Sequence, residues 1–491
     1  MCRAANASND APVSSKRSVG ESDLARSQAR AAGRRFNYLW ASFAVASLGD
    51  GFGYGAMPLL ALFVDPRPFA VAAVAAADSF PWLVLALPAG ALADRYERGR
   101  LMAVTNVGRA LVLGTLAFLI ATHHLEYWLL VVLVFTNGGA RAIYYSASQA
   151  TVPELVEPRT FAHANGVLTG TEAATEHLGG PILGALAFVA AKAIPFFADA
   201  GAVGLSGLSL LGFRTERLKA RLTYGSILDG ARQLVKDRSL RLLVTLLAAL
   251  AGLQGLVTGV LVIIATVDWG VPKGLYGLFL AVGAAGNVPG ALLADRIAKR
   301  IGSVPTLLAS ALVSGAAYLV MATARQWLVA GAGFFVVSFA VCAGSVVAIS
   351  LRQRLSPRDL MGRIGSAWRG LVWGAAPLGS LVGGAIADRW GVRLPLVIAG
   401  IAQCAISLIL VGPLARSLAA SWRAEARAAN DDDGASSSNG DREMSRAQNA
   451  VQPLRPSFEL DSPRLPTGQR LHSRRGHGPL HWGRSSRNRH G

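Results

Sequence analysis

Two carboxylates, Glu172 and Glu176, stand four residues apart in GVLTGTEAATEHLGGPILGALA, a stretch otherwise almost entirely small or apolar. With Asn165 and Thr169 they follow a four-three-four spacing, which places all four on one stripe of a helix. A third carboxylate, Asp50, lies in the glycine-rich segment SLGDGFGYGA, and a guanidinium, Arg141, lies in the apolar run NGGARAIYY. A carboxylate in apolar surroundings can take up a proton or attract a cation. A permanently charged arginine beside it keeps it ionised until a proton or a ligand competes. Each residue also has a plainer reading. Asp50 and Arg141 could be partners in an ion pair that only locks helices, and the stripe could face Arg141 instead of a cavity. His177 lies off the stripe, so a proton role competes with packing. Asp78 suits an outer vestibule or a structural pair. From the second half of the chain, Gln254, Asn287 and Arg369, with Trp368 and Trp373, are candidate cavity contacts. Interhelical hydrogen bonding is the rival role for the two amides, as packing is for the tryptophans.

Whether such residues sit on a wet surface or at membrane depth depends on the elements that carry them. Of the 491 residues, 52% are hydrophobic and only 16% charged, with a mean hydropathy of +0.40; soluble domains carry about a quarter charged residues. The charge gathers in the first 35 residues, the last 75 and short islands between apolar runs, the pattern of a polytopic membrane protein. The formal charge of +19 fits basic cytoplasmic flanks and anionic lipid heads. No nucleic-acid-binding module accompanies it, so no nucleic-acid partner is expected. Cys2, Cys342 and Cys404 have neither pairing nor metal-ligand spacing, and G-x-x-x-x-G-K-[ST] is absent. No metal, no cofactor and no direct use of ATP is therefore expected. The first apolar run begins after Phe36 and is too long for a signal-peptide core.

About 20 apolar residues cross a bilayer as a helix. That ruler gives twelve spans, near 37–63, 70–93, 102–122, 126–148, 162–188, 191–213, 240–266, 272–294, 303–323, 326–350, 364–387 and 394–413. Basic connections such as DRYERGR (Asp94–Arg100), DRIAKR (Asp295–Arg300) and RQRLSPRDLMGR (Arg352–Arg363) alternate with poorly basic ones, HHLEY and DWGVPKG, and DRWGVR is a mild exception. The bias puts both termini in the cytoplasm of a multi-pass plasma (inner) membrane protein. The expected organisation is a disordered cytoplasmic segment 1–35, a six-helix bundle 36–213, a cytoplasmic loop 214–239, a second six-helix bundle 240–414 and a disordered basic tail 415–491. The halves echo each other: GALADR from Gly90 and GALLADR from Gly290, PRTFAHANG and PRDLMGRIG, GPILGALA and LGSLVGGAIA. Three matches in order, about 200 residues apart, indicate an internal duplication of the kind found in two-bundle transporters.

These residues resemble the major facilitator superfamily, whose G-x-x-x-D-[RK]-x-G-[RK]-[RK] motif follows the second helix. Here Gly90, Asp94, Arg95 and Arg98 fit it, while Glu97 replaces the usual glycine and Gly99 a usual basic residue. That variant is similar to a bacterial exporter branch that includes enterobactin exporters and macrolide-type efflux proteins. So are ARAIYYSASQATVPELVEPRTFAHANG, GARQLVKDRSLRLL and the run from Arg352 to Gly384. The resemblance implies an all-α membrane protein of twelve helices in two pseudo-symmetric bundles. It implies a conformational latch at Gly90, Asp94, Arg95 and Arg98 that contacts helix eleven, and a functional arginine at Arg141. It implies an antiporter element at Gly180, Pro181 and Gly184, in which Glu176 occupies one expected glycine place. The expected function is secondary transport, with no enzymatic activity: proton-coupled export of a small amphipathic compound (a drug, antibiotic or siderophore) by alternating access. The expected partners are that small molecule, protons and the lipid bilayer, with the chain a monomer. Import of a small metabolite by symport is the nearest rival; a membrane enzyme and a transport-dead receptor stand further off.

Overall fold

In hydrocarbon an apolar run can satisfy its backbone N–H and C=O groups only internally, which forces it into a helix. The computed structural model of the chain is helical wherever it has regular structure among the described residues, which are 13–156, 160–213, 232–357, 361–410, 412–413 and 416–417. Among the described residues ten helices are long and apolar enough to span a membrane, and two shorter apolar ones, Ile194–Leu210 and Leu394–Leu410, stand at the sixth and twelfth expected places. In chain order, spans one to four are Val13–Val64, Pro68–Arg95, Arg98–Ala121 and Tyr127–Leu155. Span five runs in three pieces, Phe161–Glu172, Ala173–Gly179 and Gly180–Ala190, and span six is Ile194–Leu210. Span seven is Arg238–Thr258, continued past Gly259 by a short turn; span eight is Tyr276–Ala285 and Asn287–Ile301. Spans nine to eleven are Ser303–Thr323, Trp327–Leu355 and Met361–Trp390, and span twelve is Leu394–Leu410.

Three features differ from the reading of the sequence. The first helix starts at Val13, so the leader expected to be disordered has a helical backbone from there on; its alanines and arginines are good helix formers. Span five is not one uniform helix. Its middle piece, Ala173–Gly179, is a π-helical turn carrying Glu176 and His177. Pro181, just beyond, lacks an amide donor and crowds the carbonyl four residues back, and the wide turn absorbs that misfit. Spans seven and eight, expected to be continuous, are broken near Gly259 and Gly286. Most of the expected central loop, at 214–231, and nearly all of the tail lie outside the described residues. The described residues all fall in one compact unit.

The packing separates two ends. At the end where span one finishes and span two begins, one apolar core joins both halves, from Leu59, Val71 and Phe188 to Leu261, Phe279 and Tyr318. At the opposite end each half keeps its own core: Leu39, Met102, Leu155 and Leu210 in the first, Leu240, Leu307, Leu351 and Trp368 in the second. The far end is thus sealed, and a cleft divides the end nearer the N-terminal half of span one. The seal is backbone-close. A Cβ at Gly277 of span eight would fall 2.8 Å from Cα of Ile182 in span five, and Ser380 Oγ of span eleven donates to the Ala72 carbonyl of span two at 3.4 Å. Within the first half, Gly180 backs onto Gly51 so tightly that a Cβ would lie 2.8 Å from the Gly51 carbonyl carbon. Packing that close, with no side chain between, is how helices associate where lipid removes the hydrophobic drive.

Candidate functional site

The glycines of span one let spans five and six approach it, and that approach gathers the charged side chains of the first half into one layer. Arg109 of span three is fully buried. Its guanidinium donates to Asp50, to Asn137 Oδ1 at 3.1 Å and to Asn106 Oδ1 at 3.5 Å. Asn106 in turn donates to Ser206 Oγ at 3.0 Å, and Ser206 shares a 2.8 Å hydrogen bond with Ser42. This seam ties spans one, three, four and six together around Asp50. Arg141 of span four approaches Asp50 from the other side, with Nε 3.6 Å from Oδ2, and donates to Glu176 on the π turn. Asp50 therefore lies between two guanidiniums, and Arg141 between two carboxylates.

Two cavities flank this layer. One of about 240 Å³ lies on the sealed side, lined by Asp78, Asp199, Tyr54, Tyr276 and Phe334. The other, of about 210 Å³, lies toward the cleft and is lined by Glu172, Glu176, His177, Trp82, Tyr145 and Trp373. Asp50 and Arg141 line both, so the pair forms the partition between them. The layer holds five carboxylates (Asp50, Asp78, Glu172, Glu176 and Asp199) against two guanidiniums, Arg109 and Arg141. Charges at this depth cost several kcal/mol, roughly 2.5–3.5 each on insertion scales, unless paired or neutralised. The surplus acids must therefore hold protons or meet a cation.

The residues singled out in the sequence separate in space. Glu172 and Glu176 line a cavity together, while the Asn165 amide donates back to its own helix at the Phe161 carbonyl, 3.1 Å away, and Thr169 is exposed. The four-residue stripe thus divides: its near-end half lies off the cavity wall, while Glu172 and Glu176 line it and Glu176, on the π turn, meets Arg141. His177 stands edge-on to Tyr54, centroids 5.5 Å apart. Gln254 lines a cavity in the second half, Asn287 is exposed at the break in span eight, and Arg369 is exposed on span eleven. Trp368 lies under the Arg352 guanidinium at 5.4 Å, and Trp373 meets Trp82 across the two halves at 5.4 Å. Of the expected latch, Arg98 donates to the Ala150 carbonyl at 2.6 Å and pairs with Glu154 of span four, in its own half. The Arg95 guanidinium lies over Tyr96, a Cβ at Gly90 would meet open space, and the Asp94 side chain lies outside the described residues. Pro181 packs on Gly55 of span one and Gly277 of span eight, and Gly184 packs on Phe52 of span one. No cluster of metal-ligating side chains occurs among the described residues.

Sequence reading passed over Arg109, Asp199, Asn106 and Asn137. The signal was present for the first two, which are charged residues inside the apolar runs NVGRALVLG and FFADAGAVG.

Two helical halves, a shared core at one end, a cleft at the other and a charged layer between define a polytopic membrane transporter. The chain matches the Major Facilitator Superfamily over residues 39–378 and belongs to that superfamily. It is 27% identical over 398 residues, 76% of this chain and 92% of the other, to an uncharacterized MFS-type transporter, YfiS, of Bacillus subtilis (strain 168). Among solved structures it is similar to the nucleoside transporter NupG, with a TM-score of 0.63 and 11% identity over 76% of this chain and 98% of that one. A bacterial homolog of the human lysosomal transporter Spinster, in an inward-facing and occupied conformation, gives 0.62 and 12% over 78% and 96%. A bacterial homologue of the iron transporter ferroportin, in an inward-facing state, gives 0.55 and 19% over 77% and 98%. At these identities the likeness is one of fold.

Proposed function

We propose that the chain is a proton-coupled exporter of a small amphipathic compound, working by alternating access as a monomer in the plasma membrane with both termini in the cytoplasm. The observation that carries this reading is the Asp50–Arg141–Glu176 group at the partition between two cavities. A carboxylate that must release an arginine in order to accept a proton or a cationic group couples the two by competition. Cargo would enter from the cleft, which faces the cytoplasm in this orientation, against Trp82, Tyr145 and Trp373. Rocking of the halves would then close the cleft and open the seal. The wall sets the rings of Trp82, Tyr145 and Trp373 beside the carboxylates Glu172 and Glu176, which favours an amphipathic cargo with an apolar body and a polar or cationic end.

Symport into the cell uses the same residues in the opposite order. The two directions are separated by profiling cells that lack their own efflux pumps and express the protein, against a panel of macrolides, siderophores and amphipathic cations. Export requires lower accumulation of at least one compound, reversed by Glu176→Gln. Higher accumulation, reversed by the same substitution, would establish import instead.

A further inference from the structure

Asp199 stands apart from the other carboxylates of the layer. It is 2% exposed, it lines the sealed-side cavity, and its Oδ1 has no hydrogen-bond partner. Its berth is shaped by span one: a Cβ at Gly49 would lie 2.8 Å from Oδ1, and a Cβ at Gly53 2.9 Å from Oδ2. Two glycines four residues apart therefore leave the only room the carboxyl group has on that face. The charges that act on it are Asp50 from span one, Arg109 from span three, Arg141 from span four and Glu176 from span five. Both arginines are already engaged, Arg109 with Asp50 and Arg141 with Asp50 and Glu176. An ionised carboxylate so placed would be a buried, unpartnered charge beside two others, at a cost of several kcal/mol.

We propose that Asp199 is a proton-binding site of the transporter, loaded from the far side when that end is open, still occupied as that end seals, and emptied toward the cleft as cargo binds. In the sealed state the proton neutralises the orphan carboxyl. Loss of that proton leaves an anion next to Arg109, which can then move from Asp50 to Asp199 and free Asp50 for the cavity. One proton is bound and one released per cycle, and no bond other than O–H is formed or broken. The proposal deepens the proton-coupled reading and rests on it for its place in the cycle. Protonation of Asp199 itself can be measured without any cargo.

The test is infrared difference spectroscopy of the purified full-length protein between acidic and alkaline buffer, in H₂O and D₂O. Wild type is expected to show an isotope-sensitive carboxylic-acid C=O band that Asp199→Asn removes. Asp199→Glu should keep the band at a shifted frequency, and Gly53→Ala should shift it by crowding the carboxyl group. Asp199→Asn, a neutral isostere of the protonated acid, should elute and melt like wild type. A band set identical in wild type and Asp199→Asn would overturn the proposal, as would a band that only Asp78→Asn or Glu172→Gln removes. If Asp199→Asn removes the band while no compound alters a pH gradient in vesicles of the wild type, the proton site stands and the exporter reading fails.

Discussion

Arg109 is the side chain on which the charged layer hangs, since it is buried completely and shares Asp50, Asn106 and Asn137 among its donors. Arg109→Leu leaves Asp50 with Arg141 as its remaining guanidinium partner and should destabilise the protein by about 3 kcal/mol, the low end of the cost of breaking a buried pair. Adding Asp50→Asn should recover part of that loss, as read from thermal unfolding in detergent. Equal melting of wild type and Arg109→Leu would remove Arg109 from this role. Glu176→Gln differs in kind. Arg141 keeps Asp50, so folding should survive while proton coupling is lost. The sequence pointed to Asp50, Arg141 and the two glutamates because a charge in a glycine-rich or apolar run has no cheap explanation at membrane depth. Arg109 and Asp199 carried the same signal, but only the fold shows that spans one, three and six bring them to one point.

At the scale of elements, span five was legible as a span but not in its course. A 3.6-residue period puts Asn165, Thr169, Glu172 and Glu176 in line. Asn165 and Thr169 lie on the same α-helical piece as Glu172 but beyond the cavity wall, and the π turn ahead of Pro181 carries Glu176, which meets Arg141. The turn is a tertiary solution to a proline, and hydrophobic periodicity alone does not reveal it. The backbone contact between Gly277 and Pro181 yields a further expectation. Gly277→Val should hold the far end ajar. With the native cysteines replaced, a cysteine at Ala72 should then label from outside the cell, and it should stay protected when Gly277 is kept. Protection in both backgrounds would mean that this contact does not govern the seal. In the loop between spans one and two, hydrogen bonds from Arg67 hold the Asp65 carboxyl below the usual carboxylate range. Their contribution is present above the unfolded-state value and lost as pH falls through the lowered one. Protease nicking of this loop should rise only at strongly acidic pH, and Asp65→Asn should abolish that dependence.

For the whole molecule, the succession of apolar spans and the repeat of the halves could be read from hydropathy and from the paired GALADR and GALLADR motifs. Which end is closed could not, because the same sequence must serve both states; only the shared core at one end and the divided cores at the other tell. Cysteines at Ala72 and Ser380, joined by a short thiol cross-linker across the seal, should stop transport, and cleaving the linker should restore it. Transport that continues through the cross-link would argue against rocking of the two halves. The most direct measurement is made in everted membrane vesicles that hold a pH gradient reported by a fluorescent dye. A macrolide, siderophore or amphipathic cation that the protein exports should dissipate the gradient with wild type and leave it intact with Glu176→Gln. If every such compound leaves the gradient unchanged with wild type, or collapses it equally with Glu176→Gln, proton-coupled export through the Asp50–Arg141–Glu176 group is contradicted.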